Sequence, residues 1–463
     1  MSEKTKGELL AEKLVYKNKN GFDTKNADKK TVADYCEGYK KYLDSSKTER
    51  EAVTTSIAMI ESQGYKAYKL GDKLERGGKY YLNNRNKSMF MFRIGSEPIE
   101  NGIRITASHI DSPRVDFKPQ PVFEDSELCY FKTHYYGGVK KYQWVATPLS
   151  LHGVICKPDG DVTVCVGEDE SEPCFYISDL APHISQLQNQ KNVPEAISGE
   201  QLNILAASEP FDDEKASDRV KLTVLSMLNE KYGCTEADLI SSELCAVPAM
   251  KARDIGFDRS MIGSYGHDDR VCAYPSITAM LDSEDSEHTL LNIIADKEEI
   301  GSDGVTGMQC ALLADLIEEI ALALGGNPRV VRQNSKCLSA DVNVAYDPNF
   351  PEVFERRNTA FLNHGVVLSK YTGARGKSGT SDASAEVVSF VTKIFDENGV
   401  DWQMAELGKI DLGGGGTVAK FIANINIDVI DLGVPVLSMH APYELVSKYD
   451  VYMTHKAIKA FYK

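Results

Sequence analysis

Histidine and carboxylate side chains occur together in five short segments of the sequence. They are Ser108-His109-Ile110-Asp111, Gly266-His267-Asp268-Asp269-Arg270, Asp296-Lys297-Glu298-Glu299, Ser339-Ala340-Asp341 and Ser438-Met439-His440. Imidazole and carboxylate are ligands that zinc, cobalt and manganese accept, and none of these segments contains a cysteine. The residue types therefore indicate a site for a pair of divalent cations, which usually share one carboxylate and leave positions open for water and substrate.

Two of these segments also offer groups for proton transfer and orientation. Of the adjacent pair Glu298 and Glu299, one carboxylate can bind a metal while the other takes a proton from the attacking water. Asp111 can accept the free imidazole N–H of His109 and so fix its tautomer. Taken singly, each segment also fits an ordinary role, such as a solvated acidic turn, a structural histidine or an N-cap at Asp268 and Asp269.

Strand and helix patterns place four of the segments after strand candidates, and the fifth at the start of a helix. Residues 290–295 form a continuous apolar run of strand length, followed by a helix predicted over 307–324 and a strand over 337–344. Residues 381–395 predict an amphipathic helix, and residues 434–439 a strand that leads into a C-terminal helix. The alternation predicts an α/β fold. Since ligands bind at the carboxyl ends of strands in such sheets, we expect the polar segments to face one crevice.

The pattern differs in the first half of the chain. Residues 31–64 have helical spacing of apolar positions and predict one or two helices, interrupted near Asp44. Between residues 115 and 178, short β segments follow one another closely with turn residues between them, which is typical of a separate, mostly β module.

Composition limits the partners and the compartment. The 463 residues include 52 Lys and Arg against 68 Asp and Glu, a formal net charge of −16. This balance argues against nucleic acid or an anionic membrane as a partner. The sequence contains neither an apolar run of membrane-spanning length nor a secretory signal, and its ten cysteines lack disulfide or C-x-x-C spacing. We therefore expect a cytoplasmic protein.

The five segments, in this order, resemble the aspartyl aminopeptidase and aminopeptidase I family of cocatalytic dizinc exopeptidases. The resemblance extends over essentially the whole chain and includes the run Gly413–Gly416 and the dipeptide Pro182-His183. It implies a metal-dependent aminopeptidase that removes the N-terminal residue of peptides, with two divalent ions per subunit, zinc above all and cobalt or manganese as substitutes. It also implies a role for each matching residue: His109 and Asp341 at one metal, Glu299 and His440 at the other, Asp268 bridging both, Glu298 as general base and Asp111 orienting His109.

Asp268 rather than Asp269 is the predicted bridge. Family members usually carry Asp-Asn at this point and use the first residue as the ligand, whereas this chain carries Asp269 in place of the Asn.

The resemblance also implies a division into domains and an assembly. A metallopeptidase domain with a central mixed sheet, residues 1–113 and 242–463, would be interrupted by an inserted β-rich dimerisation domain, residues 114–241. Dimers would build a homo-oligomer, a tetrahedral dodecamer, in which His183 of a neighbouring subunit completes each active site. The alternative is that His183 is an ordinary surface or core histidine.

Substrate preference and overall activity have alternatives. Lys370 lies near the position where acid-preferring members place a lysine that can pair with an acidic first residue, and Arg375 and Lys377 lie in the same loop. Residues 372–380 depart from the acid-preferring pattern and look closer to the bacterial aminopeptidase I branch, so neutral or broad specificity is expected at least as much as acidic specificity. Two rival functions remain. One is a related binuclear hydrolase on the same fold, such as a carboxypeptidase or deacylase, and the other is a scaffold protein without catalysis.

Overall fold

Two β-sheets organise the chain in the computed structural model, which describes residues 4–283 and 286–463. The helices are α1 Lys6–Leu14, α2 Gly21–Thr24, α3 Lys29–Asp44, α4 Glu49–Glu61, α5 Gln186–Asn189, α6 Val193–Ala196, α7 Arg219–Tyr232, α8 His267–Leu281, α9 Leu312–Ala323, α10 Pro328–Asn334, α11 Ala385–Glu397, α12 Ala419–Ala423 and α13 Lys448–Phe461. The strands are β1 Lys66–Ala67, β2 Lys79–Asn84, β3 Ser88–Arg93, β4 Ile103–His109, β5 Arg114–Asp125, β6 Leu128–Tyr136, β7 Leu149–Lys157, β8 Gly160–Val166, β9 Ile204–Ala207, β10 Ser242–Pro248, β11 Arg253–Ile255, β12 Met261–Ser264, β13 Thr289–Ala295, β14 Lys336–Val344, β15 Val366–Ser369, β16 Trp402–Met404, β17 Asp428–Leu437 and β18 Glu444–Ser447. None of the described helices is long and apolar enough to cross a membrane.

The larger sheet has twelve strands and a parallel centre. Its main path is β1-β2-β3-β13-β4-β14-β17-β18-β12-β11, with β15 and β16 attached beside β17. The four central strands, β13, β4, β14 and β17, are mutually parallel, and β3, β15 and β18 pair antiparallel to this centre. The predicted fold class, an α/β domain with a mixed central sheet, is confirmed.

Helices cover this sheet on both faces, and the central strand β13 shows why. All seven of its residues are buried. Leu290 and Ile294 pack with helices α3, α8 and α13, whereas Leu291 and Ile293 pack with α9, α10 and α12. Because side chains alternate across a strand, a continuous apolar run is what a strand between two helical layers requires.

The smaller sheet has six strands in the order β8-β7-β10-β5-β6-β9, all antiparallel, with an apolar core of its own. Its strands run from Arg114 to Pro248, directly after the His109 segment and before α8. The β texture seen in the sequence is therefore a separate sheet. The sequence-based division at residues 114–241 stays a prediction, and β10 of the second sheet begins one residue after it.

Several predicted elements agree with the structure, and three differ at their ends. Residues 31–64 do form two helices, α3 and α4. The helix predicted over 307–324 begins only at Leu312, because the preceding residues form turns in which Gln309 N–H donates to the carbonyl of Ser302. The helix predicted from 381 begins at Ala385, where Ser384 caps it through the N–H of Val387. The strand predicted to 439 ends at Leu437, and β18 precedes the C-terminal helix.

Candidate active site

Three parallel strands bring acids and a histidine to one edge of the larger sheet. Ala295 at the end of β13 pairs with His109 at the end of β4, so the loop carrying residues 298–299 begins beside this histidine. Ser339 of β14 pairs with the residue two before His109. Asp341 lies two residues beyond Ser339, and its side chain therefore emerges next to that of His109.

The remaining two segments come from β17 and α8. His440 follows the end of β17 in a turn and has a φ of 65°. Asp268 lies in the first turn of α8 with non-helical backbone angles, φ −77° and ψ 106°. The peptide bond between Asp268 and Asp269 is cis.

The carboxylate of Asp268 lies between the two imidazoles. Its Oδ1 is 3.1 Å from Nε2 of His109, and its Oδ2 is 3.1 Å from Nε2 of His440. Asp341 Oδ1 lies 3.6 Å from the same Nε2 of His109, and Glu299 Oε2 lies 3.5 Å from Nε2 of His440. The five predicted metal ligands are thus brought together as two groups of three donors that share Asp268.

The donor set fits divalent metal. A tetrahedral zinc ion with bonds of about 2.0–2.1 Å has ligand atoms about 3.3 Å apart, and the four distances above lie between 3.1 and 3.6 Å. Each group combines one imidazole with two carboxylates, a set that zinc accepts. Two further buried carboxylate oxygens, Asp269 Oδ1 and Glu299 Oε1, have no hydrogen-bond partner among the described residues.

The charges in the cleft are unbalanced. Burial raises the pKa of Glu298 to about 8, with the charge of Asp341 adding to it, and burial together with Asp268 raises the pKa of Glu299 well above its usual range. Burial also raises the pKa of Asp341. Burial alone would lower the pKa of His440, but Asp268 and Glu299 raise it to about 10. Acids thus outnumber the cations available to them, a condition that divalent metal relieves.

Asp111 holds the base of the cleft together. Nδ1 of His109 lies 3.3 Å from its Oδ1 and 3.1 Å from its backbone carbonyl, which directs Nε2 of that ring toward Asp268. Its carboxylate also accepts the backbone N–H groups of Glu298 and Glu299, each at 3.2 Å. One carboxylate therefore fixes both a histidine and the loop of the two glutamates.

Asp269 has a different role from its neighbour. Its Oδ2 accepts the backbone N–H of His109 at 3.2 Å, and burial raises its pKa well above the usual range. Only Asp268 places an oxygen against each imidazole.

Glu444 is a buried residue of the site that the sequence did not reveal. Its carboxylate accepts the backbone N–H of His440 at 2.7 Å and that of Asp268 at 3.1 Å. It therefore joins the turn after β17 to the first turn of α8. The only sequence feature that could have pointed to Glu444 is its position, four residues after His440 at the start of a strand, and this pattern is weak by itself.

The second sheet also reaches into the cleft, which the sequence did not reveal either. The hydroxyl of Tyr136, at the end of β6, donates to Asp111 Oδ2 at 2.8 Å. The carbonyl of Gly138 accepts from Nδ1 of His440 at 2.9 Å. A Cβ on Gly138 would lie 3.1 Å from that nitrogen, so a larger residue here would have to push the imidazole of His440 by a few tenths of an ångström. The sequence feature that could have pointed to this contact is the dipeptide Gly137-Gly138, which follows a strand rich in aromatic residues.

A cleft of about 540 Å³ opens at these residues and is lined by Asp268, Glu298, Glu299, Asp341 and His440. His109 and Asp111 are buried behind this lining, and the other two predicted site residues, Lys370 and His183, lie elsewhere. The ammonium of Lys370 lies 3.5 Å from Asp382, outside the cleft lining. His183 is exposed on the second sheet's module and is also absent from the lining of its own chain's cleft.

Comparison with known proteins agrees with this geometry. Residues 42–462 match the family described as "Aminopeptidase I zinc metalloprotease (M18)". A protein of Clostridium acetobutylicum named "Probable M18 family aminopeptidase 1" is 46% identical over 459 residues, which cover 97% of this chain and 98% of that protein. The chain belongs to the M18 family. It is accordingly a metal-dependent aminopeptidase of a family of zinc metalloproteases.

Two solved structures share the fold over more than nine-tenths of this chain. The crystal structure of an M18 family aminopeptidase from Thermotoga maritima is 39% identical, with a TM-score of 0.93 over 97% of this chain and 99% of that one. The mApe1 dodecamer of S. cerevisiae is 23% identical, with a TM-score of 0.76 over 93% of this chain and 97% of that one. The second likeness establishes the fold alone.

Proposed function

We propose that this M18 protein hydrolyses the first peptide bond of small peptides at a site for two divalent ions, zinc by preference. The observation that carries the proposal is the carboxylate of Asp268, with one oxygen against each histidine-centred donor group. His109 and Asp341 would hold one ion and Glu299 and His440 the other. When bound, such a pair of ions polarises a carbonyl group and makes an attacking water more acidic.

Glu298 is the proposed general base. Glu298 lines the cleft next to the proposed ligand Glu299, and it is not itself one of the five proposed ligands. It would take a proton from the attacking water and deliver it to the nitrogen of the leaving amine. Asp111 would keep His109 and the glutamate loop in position, which is supported by its hydrogen bonds to both.

Recognition of a free amino terminus distinguishes an aminopeptidase from the related carboxypeptidases and deacylases. The cleft lining includes four carboxylates, from Asp268, Glu298, Glu299 and Asp341, and these suit an α-ammonium group. The test is hydrolysis of matched peptides with free and acetylated amino termini by the zinc-loaded protein. Cleavage of the free peptide alone is expected, whereas cleavage of only the acetylated peptide would favour the deacylase reading. Absence of any cleavage would favour a scaffold without catalysis.

We propose in addition that the second module, residues 114–241, forms a dimer interface and that dimers assemble into a tetrahedral dodecamer. Around His183 the module exposes several large apolar side chains, namely Leu180, Ile184, Leu187 and Val193. Clustered exposed apolar residues are typical of protein interfaces. The yeast relative that shares the fold is a dodecamer.

His183 would then enter the cleft of a neighbouring subunit and stabilise the oxyanion. His183→Ala is expected to lower kcat by about 10–1,000-fold while the oligomer remains intact by sedimentation. Mixing this variant with an inactive Glu298→Gln protein should restore part of the activity, since mixed dimers contain one complete site. Failure of any mixture to regain activity would argue against a role in trans.

We also propose a cytoplasmic location. The support is that all ten cysteines are free, as expected for a protein of a reducing compartment.

A further inference from the structure

We infer that Lys420 pairs with a carboxylate of the peptide substrate, an inference that rests on the proposed function. Lys420 is in α12 and lines the cleft that contains the donor groups. It is the only Lys or Arg in that lining over the part of the chain that the structure describes. The cleft lining therefore combines four acidic residues, suited to an α-ammonium group, with this one lysine.

The ammonium of Lys420 has no acidic partner among residues 4–283 and 286–463. Its only recorded side-chain contact is with the ring of Phe421, 5.1 Å from the ring centroid. The other three candidate cations, Lys370, Arg375 and Lys377, do not line this cleft. Two of them share Asp382, Lys370 at 3.5 Å and Lys377 at 3.0 Å, and Lys377 also lies 3.8 Å from the ring centroid of Tyr371. A partly buried ammonium without a counterion is available to a ligand that carries negative charge.

The surrounding structure fixes where Lys420 stands. Thr417 donates to the buried Asp431 at 2.7 Å, and the neighbouring Val418, Ala419 and Ile422 are buried in the core beneath the sheet. The glycine run before α12 packs closely: a Cβ on Gly414 would lie 2.4 Å from Cα of Ala374. This backbone is therefore held firmly in the cleft wall, and the lysine side chain extends from a rigid support.

The carboxylate could come from either of two parts of a peptide. It could be the side chain of an Asp or Glu at the first position, or the C-terminal carboxylate of a dipeptide. A charge-assisted hydrogen bond contributes enough to change kcat/KM by roughly 10- to 100-fold.

The test is a comparison of kcat/KM between wild type and Lys420→Met on two matched substrate pairs. Glutamyl and glutaminyl p-nitroanilides differ only in the side-chain carboxylate, and leucyl-glycine and leucyl-glycinamide differ only in the C-terminal one. We expect Lys420→Met to lower kcat/KM by roughly 10- to 100-fold for the charged member of one pair, with little change for the neutral member. The affected pair identifies the source of the carboxylate.

Lys420→Arg should retain most of the preference, because it restores a cation. Lys393→Met, at an exposed lysine of α11 outside the cleft lining, is the matched control that should change neither ratio. If Lys420→Met leaves both ratios unchanged, or lowers all four activities equally, the inference is wrong. The four wild-type activities report separately on the proposed function, since wild-type protein that cleaves none of the four substrates would refute the aminopeptidase itself.

Discussion

Two clusters in this chain surround histidine with carboxylates, yet they differ in how their charges are balanced. The first is the cleft, with His109 and His440. The second lies between the two sheets, where Nδ1 of His152 on β7 is 2.7 Å from Glu51 on α4, and its Nε2 is 3.1 Å from Glu168. By donor type alone, the second cluster also qualifies as a metal site, since donor atoms of Glu51, His152 and Cys165 all lie within 4.8 Å of one another.

The electrostatic condition of the second cluster is the opposite of that in the cleft. Burial alone would lower the pKa of His152, but hydrogen bonds to Cys165, Glu168 and Glu51 raise it to about 11. Burial alone would raise the pKa of Glu168, but His152 and the cations Lys47 and Lys251 lower it to about 2. Each charge already has a partner, and the cluster is explained as an ion-pair network joining the two sheets.

The difference teaches that ligand types and proximity are not enough to identify a metal centre. In the cleft, burial raises the pKa values of Glu298, Glu299 and Asp341, and the neighbouring imidazoles of His109 and His440 offset this effect only in part. A surplus of buried negative charge is the physical signal of a missing cation, and the network around His152 lacks that signal.

Metal removal should have the largest effect and should act on the cleft alone. Dialysis against a chelator is expected to abolish aminopeptidase activity, and zinc, cobalt or manganese should restore it. Because the acids with raised pKa hold protons that metal must displace, the rise in Tm on adding zinc should be larger at about pH 8 than at about pH 5.5.

Metal quantification shows which cluster binds. His109→Ala should lower the bound zinc, whereas Cys165→Ser should leave it unchanged. A loss of zinc in Cys165→Ser would mean that the second cluster is also a metal site, and the contrast between the clusters would fail.

Glu298→Gln should have the next largest effect, because it removes a base and none of the proposed ligands. Loss of a positioned general base costs about 10²–10⁴-fold in kcat. Zinc content, measured by atomic emission, should stay at the wild-type level, while the neighbouring Glu299→Gln should lose zinc. Wild-type turnover in Glu298→Gln would remove this residue from the mechanism.

The sequence predicts those site residues that belong to a recognisable segment and does not predict those that reach the site only through the tertiary fold. The five polar segments follow strands or begin a helix, and their order matched a family pattern, so all five donors could be named in advance. Asp111 could be named because it lies two residues from His109.

Residues that act across the fold could not be predicted in this way. Glu444, Tyr136 and Gly138 reach the site through packing between segments that are distant in sequence. Lys370 looked suitable in its loop, but the sequence could not show that Asp382 binds it or that Lys420 lines the cleft.

Glu444→Gln should weaken metal binding to an intermediate degree. It sharpens the comparison, because Glu444 positions two of the proposed metal ligands but is not itself one of them. Glutamine keeps the size of the side chain, but its amide N–H₂ would face one of the two backbone N–H groups that the carboxylate accepts. Loss of such outer support weakens metal affinity by about 10–100-fold.

Competition for cobalt with a coloured chelator would measure this change, and the visible spectrum of the cobalt protein should shift as well. Glu168→Gln, in the other cluster, is the matched control and should leave both readouts unchanged. Unaltered cobalt affinity and spectrum in Glu444→Gln would contradict its role in positioning His440 and Asp268.

His152→Gln should have the smallest effect on catalysis and should act on stability instead. Removing the charged partner of Glu51 and Glu168 should lower the free energy of unfolding by about 2 kcal/mol near neutral pH, with zinc content and kcat unchanged. The pKa of His152 is raised, so the folded protein holds the imidazolium proton more tightly than the unfolded chain does. The contribution of His152 is therefore complete below its ordinary pKa of 6.5 and declines as the pH rises toward about 11. The contribution of Glu168 to stability is complete above pH 4.5 and is lost as the pH falls toward about 2.

Urea unfolding from pH 6 to 9 should accordingly show that the difference in unfolding free energy between wild type and His152→Gln shrinks as the pH rises. The control is His134→Gln, at an exposed histidine on β6, which should not change the unfolding free energy. A difference that stays constant over this range would mean that the side chain stabilises the interface by packing, and the ion-pair explanation of the second cluster would be wrong.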